Sequence, residues 1–222
     1  MHYDTDSNLH GLKHDPFKAL AVPRPIGWVS SVGKDGSRNL APYSFFNAVA
    51  DRPPMVMFSS VGRKDSLKNI EETGEFVCSL ANWDLRHEMN MSSAAVGRGV
   101  DEFALAGLEP AASKLVKAPR VARSPAAFEC RHWKTIEMPV NDKRPDLSNL
   151  VVFGIVVAIY IDDSFVHDGL VDTGAMRPLA RLGYMDYAVV TPETMFTLNR
   201  PEVAADGKSA TVNTKEWDGV YR

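Results

Sequence analysis

Cysteine is scarce in this chain, which has two among its 222 residues. Two cysteines cannot build the disulfide framework of a small secreted domain, and no Cys/His cluster has the spacing of a zinc site. Cys78 and Cys130 each lie in an apolar or alternating stretch, where a reduced and buried thiol is the usual state. We therefore predict two buried thiols and no metal site, with a disulfide between the two as the alternative.

Long apolar runs are also missing. No stretch approaches the roughly 18 apolar residues of a membrane-spanning helix, and the polar start MHYDTDSNLHGLKHD lacks the apolar core of a signal peptide. The formal net charge is −3, with 24% charged residues, a balance that favours neither nucleic acid nor a membrane surface as a partner. We expect a cytoplasmic protein without either kind of partner.

The common catalytic signatures are absent as well. The chain has no G-x-G-x-x-G dinucleotide fingerprint and no G-x-S-x-G nucleophile elbow. His2, His10 and His14 lie in the polar leader, where solvated or substrate-covering side chains are expected rather than metal ligands. No catalytic residue is predicted, which suits a protein whose bound cofactor supplies the chemistry.

Short stretches of β type make up most of the chain. Lys34-Asp35-Gly36 predicts a tight hairpin turn, because Asp-Gly supports the positive φ angles of such turns. The alternation of apolar residues falters at 132–134, which predicts a bulge. Strands are predicted over 26–32, 38–47, 54–60, 76–80, 127–138 and 149–162. With 45% hydrophobic residues and few helices, the chain is predicted to form a mainly β structure, a small barrel with added helices.

The segment 59–66 collects groups that bind anions. It contains two serine hydroxyls and two cations, and a helix is predicted from Ser66 to Thr73. The free N–H groups at a helix start carry partial positive charge and receive phosphate well. This reasoning predicts a phosphate set made of Ser59, Ser60, Arg63, Lys64 and Ser66. The alternative is that Asp65 or Ser66 only caps the helix and that both cations are solvated.

Two long stretches carry a resemblance to a known family, RPIGWVSSVGKDGSRNLAPYSFFNAVADRPP and MFSSVGRKDSLKNIEETGEFVCSL. They contain an Arg-Pro strand, a hairpin, an Asn-x-Ala-Pro-x-Ser segment and a Lys-Asp-Ser helix start. In these features the chain resembles the flavin reductase-like family of FMN-binding split-barrel proteins. Ser66 stands where the family usually has Thr, and Ser79 stands where it often has Asn.

The resemblance sharpens the predicted organisation. It implies a six-stranded split β-barrel domain over 21–191, after a leader over 1–20 and before a tail over 192–222 that packs on the barrel or on a dimer partner. It also implies a homodimer with FMN at or near the dimer interface. Arg181 and Tyr184 match an Arg-x-Gly pattern of the family and are expected to close the flavin site, with a structural turn as the alternative.

The resemblance also implies a set of cofactor-binding residues. Strand residues 28–31 and 39–44 are expected to form the wall beside the isoalloxazine and the ribityl chain, with backbone groups of Ala41 and Tyr43 at the ring edge. For Trp28, a purely structural role in the barrel is the alternative. The full set comprises Trp28, Val29, Ser30, Ser31, Asn39, Ala41, Pro42, Tyr43, Ser44, Asn47, Ser59, Ser60, Arg63, Lys64, Ser66 and Arg181.

These features lead to one main functional hypothesis and two alternatives. The main one is an oxidoreductase that takes electrons from NAD(P)H through bound FMN and delivers them to free flavin, for a partner monooxygenase, or to another redox protein. The first alternative is an FMN-binding electron carrier or flavin-storage protein without NAD(P)H activity. The second is a binding module that uses the same barrel for another phosphate-bearing ligand.

Overall fold

The computed structural model describes residues 1–140 and 147–220. Part of a polar loop expected over 139–148 and the last two residues of the predicted tail lie outside the described residues. Within them, the main sheet has seven antiparallel strands. We label these strands β1 (Gly27–Val32), β2 (Arg38–Tyr43), β3 (Phe46–Asp51), β4 (Pro54–Val61), β5 (Glu75–Leu80), β6 (Ala126–Glu137) and β7 (Asn149–Ile161).

The order of the strands explains the split of the barrel. The sheet runs β2-β1-β5-β6-β7-β4-β3, so β2 and β3 form its two edges although they are neighbours in the chain. The sequence predicted one strand over 38–47, but Ser44 and Phe45 interrupt it and separate β2 from β3. The Phe45 carbonyl accepts a hydrogen bond from the Ser59 N–H, at 2.8 Å, which ties this corner to β4. The main sheet therefore has one strand more than predicted, and the mainly β split-barrel class is confirmed.

Short elements surround the sheet. The helices are α1 (Phe17–Leu20), α2 (Asp65–Thr73), α3 (Arg86–Met91), α4 (Glu102–Leu105) and α5 (Thr173–Met176). Three-residue 3₁₀ helices lie at Trp83–Leu85, Asp163–Phe165 and Pro192–Thr194. A small sheet pairs Arg24–Pro25 with Leu179–Arg181, which pairs in turn with Tyr187–Val189. Two-stranded pairs join Pro110–Ala111 to Arg120–Val121, Val166–His167 to Leu170–Val171, and Glu202–Val203 to Ala210–Thr211.

Helix α2 closes one side of the core. Its Leu67 and Ile70 side chains are fully buried and pack in one cluster with side chains of β1, β4, β5 and β7. The helix ends at Gly74, which adopts a left-handed conformation with φ +77°, as glycine does readily. Cys78 and Cys130 belong to the same cluster and are free, buried thiols, which confirms that prediction.

The bulge expected at 132–134 lies in β6. Lys134 pairs with Phe153 and His132 pairs with Gly154, so Trp133 is the extra residue between them. Gly154 also makes room for the core, because a Cβ atom there would lie 2.7 Å from Cε1 of Phe76. Contacts this short between carbon atoms are repulsive. A second register shift lies in β7, between Val156 and Ala158. The long pair β6–β7 therefore combines an irregularity in each strand with a glycine in β7.

The periphery differs from the sheet. In the part of the chain that the structure describes, no helix is long and apolar enough to cross a membrane. The tail beyond residue 195 is mostly exposed and holds one short hairpin, Glu202–Val203 with Ala210–Thr211. Phe196 and Leu198 are each 81% exposed, so these tail side chains are not packed on the barrel of their own chain.

We predict that Gly154→Ala lowers the free energy of unfolding by about 1–3 kcal/mol, the usual cost of overpacking a core. Gly97→Ala is the matched control, since a Cβ atom there meets nothing within 4 Å, and it should change the free energy by less than about 1 kcal/mol. Urea unfolding followed by circular dichroism measures both. Equal stability of the two variants would contradict the close approach at Gly154.

Candidate functional site

A large cleft opens where the two sheet edges meet. Its volume is about 710 Å³. One wall is formed by β2 and the following Ser44–Phe45 corner, and another by the start of α2. The remaining wall comes from segment 89–96, from the 181–187 region and from Lys18 and Arg24 near the end of the leader. The cleft therefore joins one continuous chain segment, 39–66, to pieces that are distant in sequence.

Strand β2 presents an unpaired edge to this cleft. Among the described strands its one sheet neighbour is β1, and the Leu40 N–H points away from β1 to the carboxylate of Glu102, at 3.0 Å. Because backbone groups alternate sides along an antiparallel strand, those of Ala41 and Tyr43 face β1. Pro42, opposite Trp28 in the register, has no N–H to offer at the open edge. Ala41 and Tyr43 therefore reach the cleft through side chains, which differs from the expected backbone contacts.

The start of α2 supplies positive potential. Lys64 is the N-cap residue and makes no side-chain cap, and the first helical bond is from the Lys68 N–H to the Lys64 carbonyl, at 3.0 Å. The N–H groups of residues 65–67 have no acceptor within the described residues. The exposed Lys64 ammonium has no ion pair there either, whereas Asp65 is paired with Arg98 at 3.5 Å. These groups make the helix start a fit for an anion.

A buried polar network lies behind this helix start. The Ser66 hydroxyl donates to Oδ1 of Asn39 at 2.5 Å, and Nδ2 of Asn39 donates to Oε1 of Glu102 at 3.1 Å. Burial raises the pKa of Glu102, although its hydrogen bonds from Leu40 and Asn39 oppose that shift. Burial also raises the pKa of Tyr43, with the Ser66 and Ser60 hydroxyls acting in the opposite direction.

Two arginines hold the opposite rim of the site together. Arg24 is 9% exposed, and its guanidinium donates to the carbonyls of Lys18 (2.6 Å), Ala21 (2.5 Å) and Leu182 (2.8 Å). Its Nε is buried without a hydrogen-bond partner among the described residues. Burial, and the nearby Arg181 charge, lower the pKa of Arg24. Arg181 donates to the Tyr187 hydroxyl at 2.5 Å and to the Tyr184 carbonyl.

The structure brings many of the residues expected from the sequence into one wall. The residues of that set that line the cleft are Asn39, Ala41, Pro42, Tyr43, Ser44, Ser59, Lys64, Ser66 and Arg181. They come from β2, β4, the start of α2 and the small sheet. Three members of the phosphate set, Ser59, Lys64 and Ser66, thus share one cavity with the β2 part of the strand wall.

The β1 residues of the expected set lie in the interior instead. Trp28 is fully buried in the second apolar cluster, and its Nε1 donates to the Ser92 hydroxyl at 2.9 Å. Val29 packs in the first cluster, while the Ser30 hydroxyl donates to the Pro119 carbonyl at 2.5 Å. Ser31 accepts a hydrogen bond from Asn69 at 3.3 Å. Because β1 is paired on both sides, its side chains are used for packing and internal hydrogen bonds.

Three further residues of that set do not line the cleft. Asn47 is exposed on the edge strand β3, and its side chain accepts from the Ala48 N–H at 2.9 Å. The Ser60 hydroxyl is buried and donates to the Gly62 carbonyl at 3.0 Å. Arg63 forms an ion pair with Glu71, which lies in the second turn of α2. Alternation along β4 explains Ser60, since Ser59 lines the cleft and the next side chain points to the other face.

Several wall residues were not in the set of site residues expected from the sequence. Arg24 precedes the first strand in an Arg-Pro pair, but its carbonyl partners include Leu182, 158 positions away. Glu102 caps the edge of β2 from a helix 62 positions further along. The sequence of segment 89–96 is typical of the end of a helix followed by a loop of small residues. Long-range pairings of this kind cannot be read from local periodicity.

Comparison with known proteins decides the family. The sequence profile of the flavin reductase like domain matches residues 19–180. The chain belongs to the flavin reductase-like family. An uncharacterised protein of Aquifex aeolicus is 41% identical over 170 residues, which cover 74% of this chain and 83% of that protein.

Solved structures agree with this assignment. Nitrilotriacetate monooxygenase component B from Bacillus cereus is 26% identical, with a TM-score of 0.81, covering 89% of this chain and 98% of that chain. The 2-nitrobenzoate 2-nitroreductase of Pseudomonas fluorescens is also 26% identical, with a TM-score of 0.78 and coverage of 92% and 100%. This member of the flavin reductase-like family is thus of the flavin-related oxidoreductase kind, and its cofactor class is a flavin.

We predict that Arg24→Met loosens the rim of the cleft, because it removes three hydrogen bonds from a charged donor, each worth about 1.5–3 kcal/mol. Amide hydrogen exchange should rise in residues 17–21 and 181–187, and the free energy of unfolding should fall. Arg52→Met is the control, since the Arg52 side chain is 93% exposed. Unchanged exchange in both segments would contradict the clamp role of Arg24.

Proposed function

We propose that the cleft binds FMN, with the phosphate at the start of α2. The observation that carries this proposal is that the N–H groups of residues 65–67 and the neighbouring Lys64 ammonium have no partner among the described residues. Charged hydrogen-bond donors and a helix N-terminus together favour a phosphate monoester. The cleft volume of about 710 Å³ extends from there along the edge of β2 to Arg181, which leaves room for a ring system.

The proposed contacts follow from the exposed groups. Lys64 and Ser59 lie at the phosphate end, and Ser66 lies behind them in the polar network. Pro42, with the side chains of Ala41 and Tyr43, forms the floor beside the ribityl chain and the ring, and Ser44 offers a hydroxyl at the corner. Arg181 lies at the rim. We leave Arg63 out of this set because its guanidinium is paired with Glu71.

The proposed activity is electron transfer from NAD(P)H to free flavin or to a redox partner. Bound flavin supplies the hydride chemistry. The chain therefore needs to hold and orient the flavin rather than to provide a nucleophile. The unpaired buried Nε of Arg24 and its neighbour Arg181 place positive charge at the rim, which favours an anionic substrate group there. Similarity to a monooxygenase component B supports a monooxygenase as the partner.

Homodimer formation is part of the same proposal. The exposed apolar side chains of the tail, with Phe196 and Leu198 each 81% exposed, favour a cover from a second copy, since such side chains are costly to leave in water. A carrier or storage protein without NAD(P)H activity is the alternative function, and it would use the same cleft.

The decisive experiment is an absorbance spectrum of protein reconstituted with FMN, recorded before and after anaerobic addition of NADH or NADPH. We expect flavin bands that bleach with at least one nucleotide. Bands that persist with both would favour the carrier alternative. Failure to retain FMN after removal of the excess would overturn the proposal for the cleft itself.

Lys64→Ala should weaken FMN binding by about 10- to 100-fold, because one charge-assisted contact to the phosphate is lost. Arg63→Ala is the matched control on the neighbouring residue and should leave the affinity within about 2-fold, since screened surface ion pairs contribute little. Quenching of FMN fluorescence on titration measures both dissociation constants. A larger loss in Arg63→Ala than in Lys64→Ala would reverse the assignment.

A further inference from the structure

The buried network behind the helix start has a defined hydrogen-bond direction. Glu102 is 7% exposed, and its two oxygens accept from the Leu40 N–H (3.0 Å) and from Nδ2 of Asn39 (3.1 Å). An ionised carboxylate only accepts hydrogen bonds, so the amide of Asn39 must present Nδ2 to it. Oδ1 of Asn39 then faces Ser66 and accepts its hydroxyl proton, at 2.5 Å.

This direction limits what Ser66 can do for a ligand. A serine hydroxyl has one proton, and here that proton is donated inward to Asn39. Ser66 lines the phosphate end of the cleft, yet with an ionised Glu102 its oxygen has no proton left to donate to a phosphate. The sequence pattern predicts that Ser66 donates a hydrogen bond to a phosphate. The network behind it directs that hydrogen bond inward instead, to Asn39.

We propose that Glu102 is a positioning residue for the bound phosphate. Acting through Asn39, Glu102 determines whether the Ser66 hydroxyl donates its hydrogen bond inward or to the phosphate. This inference rests on the proposed function. When Glu102 carries a proton on Oε1, that O–H donates to Oδ1 of Asn39 after the amide turns over. Nδ2 of Asn39 then donates to Oγ of Ser66, and the Ser66 proton is free to point into the cleft. Oε2 keeps its bond from Leu40 in both states.

The charges around Glu102 favour proton uptake on binding. Asp101 lies next to it in the chain and raises the pKa of Glu102 together with burial. Two of the positive groups nearby are already paired, Arg38 with Asp101 at 2.5 Å and Arg98 with Asp65 at 3.5 Å, and the third, Lys64, is the proposed partner of the phosphate. A phosphate dianion at the helix start adds a further negative charge, which favours the neutral acid. The titratable and charged groups that face this network are Arg38, Tyr43, Lys64, Asp65, Arg98 and Asp101.

The test compares FMN with riboflavin, which lacks the phosphate, in wild type and in Glu102→Gln. The glutamine has the same shape and donates to Oδ1 of Asn39 while accepting from Leu40, so it reproduces the protonated state. We expect Glu102→Gln to bind FMN about 10-fold more tightly than wild type at pH 8.5, in line with one added bond to a charged group. Riboflavin affinity should be equal in the two proteins.

The pH profile supplies a readout that a purely structural role would not move. Because Glu102 takes up a proton on binding, wild-type affinity for FMN should fall as the pH rises, whereas Glu102→Gln should give a flatter profile. Both profiles are measured above pH 7, where the phosphate stays largely dianionic. An equal slope in both proteins would overturn the inference. Wild type that binds no FMN at any pH would instead overturn the proposed function, so the two failures are distinguishable.

A second substitution separates the hydrogen-bond route from simple removal of a negative charge. In a Ser66→Ala background, Glu102→Gln should lose its effect on FMN affinity, because the hydroxyl that it redirects is gone. Ser66→Thr keeps a hydroxyl and should keep the effect. A gain from Glu102→Gln that persists without the Ser66 hydroxyl would show that the carboxylate acts only through its charge, and the positioning role would be wrong.

Discussion

The candidate site depends on one unpaired strand edge. Within the part of the chain that the structure describes, strand β2 pairs with β1 alone, and the other edge of the sheet, β3, is separated from it by the Ser44–Phe45 corner. A continued ladder between these edges would close the barrel and fill the cleft. Pro42, which lacks an N–H, and Glu102, which takes the Leu40 N–H, both stop the addition of another strand. The open edge is therefore protected from wrong pairing and kept for a ligand.

Keeping this edge open requires buried charge. Among the described residues that line the cleft, Glu102 and Arg24 are the two charged residues that are almost completely buried. Each is surrounded mainly by backbone groups, the carboxylate by an N–H of β2 and the guanidinium by three carbonyls of the rim. Burial raises the pKa of Glu102 and lowers the pKa of Arg24, so it favours the neutral form of each residue. The fold therefore contains two charged groups whose burial is unfavourable, at the positions where they hold the walls of the cleft apart.

Local patterns predicted those parts of the molecule that local physics decides. The hairpin at 34–36, the bulge at Trp133, the helix that ends at Gly74 and the buried thiols all depend on neighbouring residues or on one apolar face. Within the site, residue spacing identified the start of α2, and the family resemblance pointed to the edge of β2. The same resemblance included the β1 residues, but pairing on both sides buries them. Arg24 and Glu102 act over long sequence separations, and no periodicity reports such contacts.

The two halves of the cleft differ in how firmly the fold holds them. Residues 39–66 belong to, or directly join, strands of the main sheet and the longest described helix, so their geometry is set by the barrel. Segments 18–24, 89–96 and 181–187 reach the cleft from short elements and loops and are fastened by single side chains such as Arg24, Ser92 and Arg181. A barrel-bound half suits a bound flavin. A loop-bound half can vary without cost to the core, and we expect donor and acceptor selectivity to be decided there.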